Sequence, residues 1–332
     1  MLNANHFMQL AVDKAWQYQL LTYPNPAVGA TIVQDGKVLS CEAHIKAGGP
    51  HAEVNAIKSA FLVLNPSSEL KKLTSSLDIH NFLIANHNNI FTNCEIYVTL
   101  EPCNHIGKTP SCASLLKELK FNKVIVGKID PNKQAAGGIA TLKNANILVE
   151  SIQSKECDEL LLPFKKWNKD KFIFFKLAMR EDGSVTGGYI TTKQSLTHVH
   201  HLRTLIDTLV IGGNTVRIDR PTLDTRFIKG SIKNPNILIY SNDTKIDKSI
   251  PLFNIENRDV KIDNSLKYIE NDNFIMIEGG YKLLEVLKDK IDMLMIFMST
   301  NNPSNTVFDP TTLGFDTVYE DNNKEDKIIY MI

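Results

Sequence analysis

Residues 100 to 112 read Leu-Glu-Pro-Cys-Asn-His-Ile-Gly-Lys-Thr-Pro-Ser-Cys, and this stretch constrains the chain more than any other. It follows Cys94 to Leu100, whose β-branched and aromatic content marks a strand. It precedes a helical pattern from Ala113 to Lys120. Cys103 therefore leaves the C-terminal end of a strand and Cys112 opens a helix. About fifty residues upstream, His51-Ala52-Glu53 opens another helix, Ala52 to Leu64, with Val54, Ile57, Phe61 and Leu64 at matching spacing. One histidine and two cysteines suit a catalytic Zn²⁺ that keeps its fourth position open for water. Glu53 is then the candidate proton carrier.

The surrounding pattern is α/β. Asn5 to Leu20 reads as a helix that Pro24 and Pro26 break. Ala30 to Val33 and Lys37 to Cys41 are strands about an Asp35-Gly36 turn. Asn65 to Asn93 is an Asn- and Ser-rich excursion with room for one short helix. Strands at Lys123 to Gly127 and Ile147 to Val149 flank a loop and a short helix, Ile139 to Asn144. The alternation predicts a mostly parallel sheet covered on both sides. At 332 residues the chain suits two domains, divided here as 1–150 and 151–332.

Lys plus Arg and Asp plus Glu are 37 each, so formal charge is zero. That weighs against nucleic acid as a partner, since a dedicated binder needs a basic face to release counterions. No apolar run is long enough to span a bilayer, and residues 1–10 lack a cationic start and apolar stretch. The expected setting is cytoplasmic, without a membrane partner. There Cys41, Cys94 and Cys157 are most simply buried apolar residues.

A structural zinc would want a fourth protein ligand, which His44 or His105 could supply. Against that, zinc deaminases carry His-x-Glu followed by Pro-Cys-x-x-Cys. The order and the proline match, although eight residues separate Cys103 from Cys112. The run Pro102-Cys-Asn-His105-Ile-Gly107-Lys-Thr109-Pro110-Ser-Cys112 resembles the motif of the bifunctional riboflavin-biosynthesis deaminase/reductase family. Thr22-Tyr-Pro-Asn25-Pro26-Ala-Val-Gly29, His44 before Gly48-x-Pro50-His51-Ala-Glu53, and Asp130-Pro-Asn132 match it as well. Ser111 stands in place of a usual proline. The resemblance implies a cytidine-deaminase-like first domain with Zn²⁺ on His51, Cys103 and Cys112 and Glu53 as the proton carrier. Its substrate would be a diaminopyrimidine bearing a ribosylamino 5-phosphate. Asn25 and His44 would contact the ring or ribose, and Lys108 in the His105–Thr109 loop would meet the phosphate.

In the second half, strands are expected at Phe172 to Met179, Thr208 to Ile211, Ile237 to Tyr240, Phe274 to Ile277 and Met293 to Met298. Helices are expected at Ser195 to Leu205 and Lys282 to Leu287. Lys176-Leu-Ala, Asp182-Gly183, Arg203, Asp207-x-Leu209-Val-x-Gly212, Thr215-Val-x-x-Asp219-x-Pro221-x-Leu223-x-x-Arg226 and Glu278-Gly279-Gly280 resemble the reductase half of the same family. The resemblance implies a dihydrofolate-reductase-like domain that uses NADPH to reduce the ribosyl group. Arg203, Leu223, Arg226 and Glu278 would hold substrate. Thr215, Asp219, Gly280 and Tyr189 would meet NADPH, with Lys176 and Asp219 at the hydride-transfer site. The family is generally a homo-oligomer.

Several positions depart from that pattern. Gly187 and Tyr189 replace a serine and a tryptophan, Arg180 a small serine, and Ile237 an arginine. Ile291-Asp292-Met293 replaces a Val-Asp-Glu strand start. The competing readings are a deaminase whose second domain is a degenerate scaffold, a nucleic-acid deaminase, and a non-enzymatic zinc-stabilised binding module.

Overall fold

The computed structural model describes residues 4–105, 110–185, 190–231, 233–299, 309–322 and 325–332. The chain forms two compact units, Met1–Lys165 and Lys166–Ile332. The division falls later than the 150/151 junction expected from sequence. Helix α6 (Lys155–Leu160) belongs with the first unit: Gln19 Nε2 donates to the Leu160 carbonyl at 2.7 Å, and Lys128 pairs with Asp158. Helix α7 (Leu162–Lys169) spans the division.

The first unit runs α1 (Ala4–Trp16), β1 (Gly29–Gln34), β2 (Lys37–Ala43), α2 (Ala52–Leu64), α3 (Ser76–Asn86), β3 (Cys94–Val98), α4 (Cys112–Glu118), β4 (Lys123–Val126), α5 (Gly138–Asn144), β5 (Leu148–Ser151) and α6. Its sheet has the order β2-β1-β3-β4-β5. Only β3–β4 and β4–β5 are parallel; β1 is antiparallel to both β2 and β3. The expected mostly parallel sheet is thus mixed, because the Asp35-Gly36 hairpin returns the chain beside itself. Helix α1 lies tight on β1, where a Cβ at Gly29 would overlap the Ala11 carbonyl oxygen. The 65–93 excursion holds a 3-10 turn, Glu69–Lys72, and α3, which Ser75 caps. Phe82 of α3 meets Phe61 of α2 edge-on.

The second unit contains β6 (Phe172–Arg180), α8 (Lys193–Leu205), β7 (Thr208–Gly212), α9 (Gly213–Asp219), β8 (Asn236–Tyr240), β9 (Val260–Asp263), β10 (Phe274–Glu278), α10 (Tyr281–Leu287), β11 (Met293–Ser299), β12 (Thr317–Asp321) and β13 (Lys327–Met331). The sheet order is β12-β13-β11-β6-β10-β7-β8-β9. From β11 to β9 every pairing is parallel, and on the other side β13 is antiparallel to both β11 and the edge strand β12. The central strands are apolar on both faces, as a sheet covered on both sides requires. Two aspartates lock neighbouring strand starts. Asp207 Oδ2 accepts from Phe274 N–H at 3.0 Å, and Asp292 Oδ2 from Ile173 N–H at 2.9 Å. Gly212 is the N-cap of α9 and Gly213 its first residue. Parallel order puts the carboxyl ends of β6, β10 and β7 side by side, with Lys176 in register with Glu278. Among the described residues no helix is long and apolar enough to cross a membrane.

Candidate functional site

Three loops converge in the first unit. His51 is the N-cap of α2 but does not cap it with its side chain. Cys103 follows β3, and Cys112 is the first residue of α4. His51 Nδ1 lies 3.6 Å from Cys103 Sγ and 3.4 Å from Cys112 Sγ, and all three ligand atoms fall within 4.8 Å of one another. A tetrahedral zinc with Zn–S near 2.3 Å and Zn–N near 2.0 Å separates N from S by about 3.5 Å, so the spacing fits that ion. Among the described residues this is the only His, Cys and carboxylate group with such convergence.

The hydrogen bond from Cys112 holds the Cys103 thiol down at about 4, and His51 acts in the same direction. The Cys112 thiol is pushed up by that hydrogen bond and then by burial. A divalent cation there would hold both sulfurs as thiolates. Glu53 is 4% exposed, and burial pushes its carboxyl up to about 7 against the opposing pull of His51.

Asn25 and His44 join this cluster. The His44 ring lies edge-on to His51, with centroids 5.5 Å apart. Burial pulls its pKa down to about 4, so the ring is neutral near neutral pH. Nδ1 is 3.0 Å from the Pro50 carbonyl, which can only accept, so Nδ1 carries the proton. Nε2 then accepts from Asn25 Nδ2 at 3.1 Å. This leaves Asn25 Oδ1 as an acceptor. His44 is thereby committed elsewhere and does not serve as a fourth ligand.

A second tier of residues, not singled out from the sequence, sets the ligands. The buried Glu101 carboxylate accepts from the backbone N–H groups of Gly137 at 3.0 Å, Ile139 at 3.1 Å and Asp130 at 3.3 Å. It fastens the 130–139 loop to the segment entering Cys103. Gly138 is pressed there so closely that a Cβ would overlap the Pro102 carbonyl oxygen. Ser111 caps α4 by accepting from Ser114 N–H at 3.2 Å and donates to the Cys103 carbonyl at 2.9 Å. A proline could make neither contact. The signal for Glu101 was its place two residues before a ligand. Lys108 lies outside the described residues.

In the second unit, Lys176, Arg203 and Glu278 come together. Arg203 Nη2 meets both Glu278 carboxylate oxygens, at 2.9 and 3.0 Å, and Nη1 donates to the Asp224 carbonyl at 3.3 Å. Burial raises the Glu278 pKa, but the Arg203 and Lys176 charges outweigh it and the net shift is downward. Burial lowers Lys176, against the pull of Glu278. His200 sits beside them, its ring 4.4 Å from that of Phe227, with Nδ1 buried and unpartnered. Leu223 is buried at a left-handed φ of 57°. Arg226 is exposed and pairs with Asp224 at 3.1 Å. Thr215 is half-buried on α9, whereas Asp219 is exposed at its last position. Gly280 caps α10 with open space where a Cβ would sit. Tyr189 and Gly187 lie outside the described residues.

Comparison with known proteins gives these two clusters a context. Residues 1–128 match the family model described as the cytidine and deoxycytidylate deaminase zinc-binding region. The chain is 30% identical to the riboflavin biosynthesis protein RibD of Aquifex aeolicus over 298 residues, covering 85% of this chain and 76% of that protein. It is 34% identical to RibD of Synechocystis over 211 residues, 61% of this chain and 50% of that one. Two solved structures cover 98% of this chain at 25% identity, each with a TM-score of 0.59. They are a diaminohydroxyphosphoribosylaminopyrimidine deaminase/5-amino-6-(5-phosphoribosylamino)uracil reductase from Thermotoga maritima, covered over 97% of its chain, and Acinetobacter baumannii RibD, covered over 98%.

Proposed function

The chain belongs to the RibD family of riboflavin biosynthesis proteins, and from that premise we propose that it is a bifunctional enzyme. The first unit hydrolytically deaminates a diaminopyrimidine carrying a ribosylamino 5-phosphate. The second reduces the ribosyl group of the product to ribityl with NADPH.

The observation that carries the reading is the convergence of His51 Nδ1 with both cysteine sulfurs beside a buried glutamate. Zinc, when bound there, brings the pKa of its water toward neutrality and so supplies the nucleophile. Glu53 would take a proton on a carboxylate oxygen and hand it to the departing ammonia. Its carboxyl, held near 7 by burial, suits both transfers. His44 fixes the Asn25 amide so that Oδ1 can accept from the pyrimidine. The 105–109 loop with Lys108 is assigned to the sugar phosphate.

NADPH supplies the hydride in the second unit. There Arg203, Glu278, Leu223 and Arg226 are assigned to the substrate, and Thr215, Asp219, Gly280 and Tyr189 to the nicotinamide cofactor. Lys176 and Asp219 are assigned to the hydride-transfer site. The scaffold reading of this unit is disfavoured, because Lys176 and Glu278 remain paired on adjacent strands and Arg203 of α8 reaches Glu278. The same reading makes the enzyme a cytoplasmic homo-oligomer acting on a small molecule and binding no nucleic acid.

The test is a coupled assay. Wild type should release ammonia from the diaminopyrimidine and then oxidise NADPH. Glu53→Gln should abolish ammonia release while metal analysis still finds one zinc per chain. Ammonia release from that variant at the wild-type rate would overturn the assignment.

A further inference from the structure

The segment Pro221–Asp224 is held through its carbonyl oxygens, one after another, by groups from elsewhere in the second unit. Leu252 N–H donates to the Pro221 carbonyl at 3.1 Å. Arg258 donates from Nη1 to the Thr222 carbonyl at 3.0 Å and from Nη2 to the Leu223 carbonyl at 2.5 Å. Arg203 takes the fourth, the Asp224 carbonyl, while its other edge grips Glu278. Two of the four are thus held by one guanidinium that comes from just before β9.

The loop needs such a clamp. Leu223 has φ 57°, a left-handed conformation in which the Cβ of an ordinary residue crowds its own backbone. A conformation of this kind persists only where the surroundings over-determine it. Arg258 is half-buried there, and burial together with the Arg203 charge lowers its pKa to about 10. The fork geometry of a guanidinium can serve two adjacent carbonyls, whereas an ammonium on a flexible stem serves as a single point donor.

We propose that Arg258 is a positioning residue of the reductase site: it holds the Thr222 and Leu223 carbonyls, and so sets the shape in which the Pro221–Asp224 loop meets the ribosyl substrate. This rests on the reductase reading above. Arg258 acts through the loop and has no part in hydride transfer. Its loss therefore weakens substrate binding and leaves the chemical step largely intact.

The experiment compares full-length wild type, Arg258→Met and Arg258→Lys, with purified deaminase product as substrate and the ammonia-release rate as an internal control. For Arg258→Met the KM for the ribosyl substrate should rise roughly tenfold while kcat stays within about twofold. Arg258→Lys should recover part of the loss, and ammonia release should match wild type in both. A wild-type KM in both variants overturns the proposal, as does a fall in kcat with KM unmoved. If Arg258→Met does not fold, Arg258→Lys decides: a raised KM with normal ammonia release supports the proposal, and a normal KM overturns it. A wild type that never oxidises NADPH refutes the reductase reading itself and this proposal with it.

Discussion

Arg203 grips Glu278 in a fork: Nη2 donates to Oε1 at 2.9 Å and to Oε2 at 3.0 Å, and Nε to Oε1 at 3.2 Å. The side chains are 11% and 13% exposed. Removing one partner of a pair so shielded leaves the other charge poorly solvated, which typically costs about 3–5 kcal/mol. Glu278→Ala would leave both Arg203 and Lys176 without their anion. We expect a loss of about 3 kcal/mol in urea stability and a reductase rate at least roughly tenfold lower. A change in stability below about 0.5 kcal/mol would show that the pair has little structural weight.

Removal of the metal should separate the two activities. Chelation takes away the activated water that the site would supply. Ammonia release should vanish and return on adding zinc. NADPH oxidation with supplied deaminase product should continue throughout. Loss of both activities on chelation, with both returning on zinc, would contradict this separation.

The Glu101 clamp gives a third prediction. Its carboxylate accepts three backbone N–H groups, two of them on a single oxygen. Glu101→Ala leaves those half-buried donors without their acceptor, at about 1–3 kcal/mol. Gly138→Ala pushes a methyl into the Pro102 carbonyl, also at about 1–3 kcal/mol. Both changes should loosen the entry to Cys103 and lower zinc retention against a competing chelator. Unchanged zinc retention in both variants would rule out a role for the clamp in setting the ligands.

His200 provides a pH signature. Burial, then the nearby Arg203 charge, lowers its pKa to about 4. An unfolded histidine titrates near 6.5. Between these values the unfolded chain binds more protons than the folded one, so stability falls as pH drops from about 6.5 toward 4. Above about 6.5 both states are neutral and His200 contributes no pH dependence. In His200→Phe, urea titrations at pH values across that window should show a shallower loss on acidification than wild type. Equal losses would mean that the imidazole is not held neutral.

Much of this arrangement was legible beforehand. Helix α2 was readable to its ends, because Gly48-Gly49-Pro50 stops what precedes it and four apolar residues repeat at helical spacing. The candidate metal ligands His51, Cys103 and Cys112 were singled out because few side chains bind zinc, and the structure brings their ligand atoms within 4.8 Å of one another. The hairpin was visible too, but not its consequence, that β1 lies antiparallel to β3 and makes the sheet mixed. Strands β12 and β13 went unseen, and so did β9, a four-residue piece with only two apolar side chains.

Local chemistry along the chain determined most of the elements and pointed to the candidate ligands and the glutamate beside His51, since each depends on residue type and on its place beside a helix or strand. Tertiary structure alone decided what supports them. Glu101 meets backbone groups 29 to 38 residues away, Arg203 meets a carboxylate 75 residues away, and Arg258 meets carbonyls 35 and 36 residues away. The acceptors of Arg258 are backbone carbonyls, which every residue offers, and the donors to Glu101 are backbone N–H groups, which every residue but proline offers. No pattern of side chains marks which of them will be met, so those contacts become visible only once the strands and loops are placed in space.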